Sequence, residues 1–151
     1  MRLEHFKIQS FRSIEDVSIY FPKNKPVVIF GPNNAGKSNI LKALDCLLGE
    51  KYSTYFDFQD SDYFLRDKKE FPNISLSATF DEDFYRSRGG ETTKKICFTT
   101  NLDVEGKTEH LYHLDNEAKT KIYLSQEQRS RCNFILIDAT RDMARTPKVA
   151  R

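Results

Sequence analysis

Gly31-Pro32-Asn33-Asn34-Ala35-Gly36-Lys37-Ser38 is the stretch on which the reading of this 151-residue chain turns. It has the spacing G-x-x-x-x-G-K-[ST] of a phosphate-binding loop, in which backbone amides cradle a nucleoside triphosphate with Mg²⁺. With glycine at about 7% of residues, a random chain this long would carry the pattern roughly once in two hundred. Its flanks fit the same arrangement. Pro26-Val27-Val28-Ile29-Phe30 is a short apolar run suited to a buried strand. After the loop, Ile40, Leu44, Leu47 and Leu48 line one helical face, and Gly49 supplies a stop.

Each loop position has a chemical reason. Gly31 and Gly36 lack a Cβ and let the backbone approach phosphates closely. The successive amides through Pro32, Asn33, Asn34 and Ala35 form an anion nest at a helix N-terminus. Lys37 is the point charge for the β- and γ-phosphates, and the Ser38 hydroxyl is the Mg²⁺ ligand. The competing bland reading is a glycine turn with a chance lysine. The loop predicts binding and does not by itself predict hydrolysis.

Composition narrows the class. The 24 basic and 22 acidic residues leave a net charge of +2, so no large basic field demands nucleic acid. With 38% apolar and 30% charged residues, the chain reads as soluble and globular. No run reaches the ~18 apolar residues of a membrane span, which predicts no membrane partner. Residues 1–5 open without a secretory apolar region. Cys46, Cys97 and Cys132 are scattered and odd in number, which predicts a reducing cytoplasm. Cys46, among the helix's apolar residues, reads as core.

Along the chain, residues 3–11 read as a strand. Val17, Ile19 and Phe21 alternate in a second, with residues 12–16 as the joining turn. Residues 51–73 read as a connector containing at most a short helix. Ile74, Leu76, Ala78 and Phe80 alternate strictly, as in a half-buried strand ended by Asp81-Glu82-Asp83. Gly89-Gly90 marks a break, and strands are expected at residues 95–101, 109–114 and 121–124, with a final apolar run at 133–137. The whole predicts an α/β P-loop NTPase decorated with an antiparallel β lobe. Residues 1–50 would hold the hairpin, strand, loop and helix, and residues 74–137 the lobe. The tail, with Arg141, Arg145, Lys148 and Arg151 and little apolar surface, predicts that the protein continues past it.

The segment Ile8-Gln9-Ser10-Phe11-Arg12-Ser13-Ile14, a short hairpin, and then residues 31–44 through Asn39 resemble the ATPase head of RecF, SMC and the OLD (overcoming lysogenization defect) family. Asp60-Ser61-Asp62-Tyr63 and residues 137–142 most resemble the OLD proteins. The strong likeness covers residues 1–50. It implies an ABC-type head that binds ATP and Mg²⁺ and self-associates around them. It also places Arg12, Ser13 and Asn39 near the nucleotide. In the OLD family a Toprim nuclease domain follows, several members act in anti-phage defence, and DNA and partner proteins belong to the full-length assembly. The first reading is thus the N-terminal part of an OLD ATPase coupled to an endonuclease. The alternatives are a RecF/SMC-type DNA repair or chromosome-maintenance head, and a nucleotide-sensing scaffold with little turnover.

Parts of such a head are missing from the pattern. No Leu-Ser-Gly-Gly-like signature is found. The nearest Walker B candidate, Phe134-Ile135-Leu136-Ile137-Asp138, is followed by Ala139 where a catalytic Glu would stand, so a core strand is the favoured reading. The general base is unknown, and negligible ATPase activity is expected from these residues alone. Val104-Glu105-Gly106-Lys107-Thr108-Glu109 resembles a Toprim opening. However, residues 99–103 look too polar for a buried strand, and a turn between strands is preferred. Asp60-Ser61-Asp62 and Asp81-Glu82-Asp83 read as solvated turns. His110 and His113 would face opposite sides of a strand and make a poor zinc pair.

Overall fold

β1 (Leu3–Phe11) and β2 (Ile14–Tyr20) form an antiparallel hairpin closed by two residues, Arg12 and Ser13. The expected turn over residues 12–16 is therefore too long. Ile14 pairs with Phe11 and is buried with it, because a one-residue slip in register would turn that apolar side chain to solvent. Arg12 takes a φ of 55°, the positive value that two-residue hairpin loops require of their first residue.

A computed structural model of the chain describes residues 1–49, 56–83, 85–86, 90, 92–103, 105, 107–115, 120–122, 124, 126–131 and 134–135. After the hairpin come α1 (Lys37–Leu48), two single 3-10 turns (Asp60–Asp62 and Phe64–Arg66) and β3 (Ser75–Phe80). The short pair β4 (Tyr85–Arg86) and β5 (Thr92–Thr93) precedes β6 (Lys95–Leu102), β7 (Thr108–His113) and the five-residue α2 (Gln126–Ser130). β4, β5 and α2 were not expected from the pattern; each is too short to establish a period.

Five strands make one antiparallel sheet in the order β2-β1-β3-β6-β7. The alternation predicted for β1 and β3 sets its register. Val17, Ile8, Leu76, Phe98 and Tyr112 stand opposite one another across all five strands, and Ile19, Phe6, Ala78 and Ile96 form the next row. These rows make an apolar face, and α1 packs against β1 and β3. Ala43, Leu44, Cys46, Leu47 and Leu48 are buried in the core they share, with Ile40 partly buried against it. Cys46 is core, as its neighbours in sequence indicate. The opposite parity is polar but not uniformly wet: Ser77, Cys97, Thr99 and His113 are buried too. A strand with neighbours on both edges, such as β3, is thus more enclosed than a half-buried alternation suggests.

Three expectations fail for identifiable reasons. Residues 26–30 are exposed, with Phe30 at 89%, and pair with no strand among the described residues. An apolar run becomes a buried strand only when neighbouring strands take its hydrogen bonds, and no described strand pairs with this one. Residues 99–100, judged too polar for a buried strand, lie inside β6. Thr100 is fully buried because its hydroxyl accepts from Ile74 N–H at 3.0 Å and donates to the Pro72 carbonyl at 3.2 Å, so its own hydroxyl is satisfied, whereas the Thr99 hydroxyl is buried without a hydrogen-bond partner. Of residues 121–124, the described ones, 121, 122 and 124, contribute one isolated bridge, Lys121 to His113.

Gly49 ends α1 without a left-handed residue: its backbone is extended, and its N–H donates to the Asp45 carbonyl at 2.8 Å. A Cβ there would collide with that carbonyl and with the Asp45 carboxylate. In the described part of the connector, residues 56–73, the helical structure is the two 3-10 turns; residues 51–55 lie outside the described residues. The Walker B candidate at Asp138 with Ala139, the tip at Gly106, Gly89 and the basic tail lie outside the described residues.

Candidate site at the glycine loop

α1 begins directly from the loop. Gly36 caps it in a left-handed conformation (φ 83°, ψ 4°), with no side-chain cap and no acidic residue in the first turn. The positive end of the helix dipole is therefore not neutralised by local carboxylates. Gly31 (φ 152°) and Asn34 (φ 66°) shape the rest of the bend. Asn39 N–H and Ile40 N–H donate to the Gly36 carbonyl at 2.9 and 3.3 Å. The Lys37 ammonium folds back over the loop, donating to the carbonyls of Pro32 at 2.6 Å and Gly31 at 2.8 Å. Ser38 is exposed at the start of the helix, as are residues 31–35.

The hairpin turn comes down onto this loop. Asn39 Nδ2 donates to Ser13 Oγ at 2.9 Å, and a Cβ on Gly36 would lie 2.9 Å from the same oxygen. Glycine is needed at position 36 both for its positive φ and for this close approach. Ser13 and Asn39, twenty-six residues apart, are thus brought together.

Arg12 reaches the other way. Its backbone N–H donates to the Asp62 carbonyl at 2.8 Å. Its Nη2 pairs with Asp62 Oδ1 at 2.6 Å, with the two side chains 30% and 14% exposed. Asp62 Oδ2 also accepts from Gln59 N–H at 3.1 Å. Tyr63, fully buried, bridges to Phe11 and fixes the turn against β1. Asp62 is thus not the solvated-turn carboxylate that its sequence context suggests. It is held by contacts spanning fifty residues, which a local reading cannot see.

Between these parts lies a cleft of about 500 Å³ lined by Arg12, Ser13, Asn39, Ser61, Phe64, Leu65 and Arg66. Sequence reasoning found the first three and missed the last four. Their one local signal is a polar and aromatic stretch without periodicity. Leu65 (φ 54°) and Arg66 (φ 58°) are consecutive left-handed residues, and Leu65 is 68% exposed. Backbone strain of this kind costs about 1–3 kcal/mol per residue and concentrates at ligand clamps. The cleft offers guanidinium, hydroxyl and amide groups on one side and apolar surface on the other, a combination suited to a polar ligand with a flat apolar part.

The remaining candidates sit elsewhere. Between β6 and β7, Asp103 Oδ1 accepts from Glu105 N–H and Lys107 N–H. His110 packs edge-on to Phe58, whereas His113, of opposite parity, is buried with Nδ1 against the Leu114 carbonyl. Asp81 and Glu82 tie down the N-terminus: Asp81 accepts from Arg2 N–H, and Glu82 pairs with the Met1 amine. Among the described residues no group of three or more His, Cys, Asp or Glu could hold a metal ion. No described helix is long and apolar enough to cross a membrane.

Comparison with known proteins places this geometry. Residues 1–145 match the family model described as AAA ATPase domain. The OLD nuclease of Thermus scotoductus is 33% identical over 94% of this chain and 27% of its own length. The DNA replication and repair protein RecF of Chlorobium phaeobacteroides is 30% identical over 68% of this chain and 26% of its own. The chain therefore spans about a quarter of the length of these relatives. A solved structure from work on ATP-driven dimerization and DNA-stimulated activation of SMC ATPases superimposes with a TM-score of 0.51 at 16% identity, over 84% of this chain and 74% of that one. The fold is that of a P-loop ABC-type head with an antiparallel β lobe. With a family match spanning nearly all its residues, the chain belongs to the AAA ATPase domain family, among the RecF- and SMC-like heads.

Proposed function

We propose that residues 31–38, with Ser13, Arg12 and Asn39 beside them, bind MgATP. We further propose that the intact protein is an OLD-type ATPase whose nucleotide cycle changes the association of two heads and thereby controls a DNA nuclease, in defence against phage. The observation that carries the nucleotide site is the seating of the hairpin turn on the glycine loop through Ser13, Gly36 and Asn39. The OLD assignment rests on the likeness to an OLD nuclease along 94% of the chain.

The residues suit the ligand. The glycines at 31 and 36 leave backbone that a Cβ would obstruct or strain, and the helix N-terminus carries no acidic residue to repel an anion. Lys37 uses two of its three ammonium donors to hold the loop, and the third serves the β- and γ-phosphates. Ser38 offers its hydroxyl to the Mg²⁺. When bound, ATP supplies a cleavable phosphoanhydride and the negative charge that draws two heads together. The chain's own part is to fix the phosphates against the loop amides and to keep the nucleotide beside the hairpin.

In the intact protein, Lys37→Ala should abolish MgATP binding in a calorimetric titration while leaving the circular dichroism spectrum unchanged, since Lys37 touches only exposed loop carbonyls and no core residue. Wild-type affinity in that variant would refute the site. A second reading, a RecF/SMC-type repair head without a nuclease, is favoured by the likeness to RecF and by the SMC fold match. ATP-dependent DNA cleavage by the intact protein supports the first reading; ATP-dependent DNA binding without cleavage supports the second.

A further inference from the structure

We infer that Asp62 is a positioning residue for the nucleotide site, which holds the Arg12 guanidinium in the cleft wall so that its remaining donors are set before a ligand arrives. The inference rests on the reading of residues 31–38 as the MgATP site and deepens it. Three links join Asp62 to its surroundings. Its carbonyl accepts from Arg12 N–H, its Oδ1 from Arg12 Nη2, and its Oδ2 from Gln59 N–H. The next residue, Tyr63, is wholly buried and paired with Phe11, so the segment carrying the carboxylate is anchored to β1. Arg12 lines the cleft beside Ser13 and Asn39. One Nη2 donor is committed to Asp62, and Nε is enclosed by protein without a hydrogen-bond partner, so the donor capacity left for a ligand is on the Nη groups.

The physical consequence has a sign that distinguishes it from simple electrostatics. A carboxylate near a polyanion repels it, so its removal should tighten binding if long-range charge were all that mattered. An arginine left unclamped must lose rotamer freedom on each binding event, so removal of a clamp weakens binding. The geometry, with one carboxylate oxygen committed at 2.6 Å, points to the second effect.

The test is Asp62→Asn in the intact protein. Asparagine keeps an oxygen to accept from Gln59 N–H but discards the charge that holds Arg12. MgATP affinity by calorimetry should fall about three- to fivefold, the size of a partly exposed ion pair. In an Arg12→Ala background the same change should shift affinity by less than about twofold, because the group it positions is gone. Unchanged or tighter binding, or an equal loss in both backgrounds, overturns the inference. If Asp62→Asn does not fold, Asp62→Glu, which keeps the charge but displaces it by one methylene, is compared across the same two backgrounds under the same criteria. Lys37→Ala separates the two levels. If it binds MgATP like wild type, the site itself is misassigned. If it loses binding while Asp62→Asn stays neutral, only the clamp is wrong.

Discussion

Gly36→Ala is the substitution whose effect can be worked out most fully. Gly36 sits at φ 83° and ψ 4°, a left-handed conformation that costs an L-residue about 1–2 kcal/mol. The new methyl would also lie 2.9 Å from Ser13 Oγ. That oxygen ends a rotatable side chain and can swing away, but only by giving up its hydrogen bond from Asn39 Nδ2, worth about 1 kcal/mol. The expected loss is therefore about 2–3 kcal/mol, read as a shift in the urea unfolding midpoint at unchanged slope. The two parts can be separated. In a Ser13→Ala background both the crowding and the hydrogen bond are absent, so Gly36→Ala should cost only the backbone share, about 1–2 kcal/mol. Equal costs in the two backgrounds would refute the docking of the hairpin on the loop. A neutral Gly36→Ala in the parent would refute the left-handed cap as well.

Two further outcomes follow from other parts of the fold. Thr100→Val keeps the shape of the side chain but strands the N–H of the buried Ile74. It should destabilise by about 1–3 kcal/mol in chemical unfolding, and a neutral result would mean that water replaces the hydroxyl. Stability should also fall at both ends of the pH scale through the N-terminal clamp. The Met1 amine is raised above its ordinary 8.0, first by its hydrogen bond to Glu82 and then by that carboxylate's charge. Its contribution is complete below pH 8.0 and is lost as pH rises through the folded value. Asp81 is lowered below its ordinary 3.8, chiefly by the Arg2 N–H, so its contribution is present above that pH and lost as acid passes through the folded value. An alkaline decline in urea midpoint that persists unchanged in Glu82→Gln would contradict the first assignment.

The sequence alone determined those features whose causes lie within a few residues. The glycine loop is fixed by Gly31, Gly36 and Lys37 themselves. β1 and β3 are legible because Phe6 and Ile8, and Ile74 through Phe80, alternate with the period of a strand. α1 is legible because Ile40, Leu44, Leu47 and Leu48 repeat at helical spacing. Tertiary structure decided what depends on distant partners. Whether residues 26–30 become a strand is settled by which strands lie beside them, and their own apolarity cannot supply those neighbours. Thr100 could enter the core only because Pro72 and Ile74 satisfy its hydroxyl. Asp62 changed from a surface carboxylate into a partner of Arg12 because sheet pairing brings residue 63 to residue 11. Local periodicity records the face that a segment buries, whereas chain closure over fifty residues decides which charged groups meet. The loop could therefore be read from eight letters, and the cleft beside it could not.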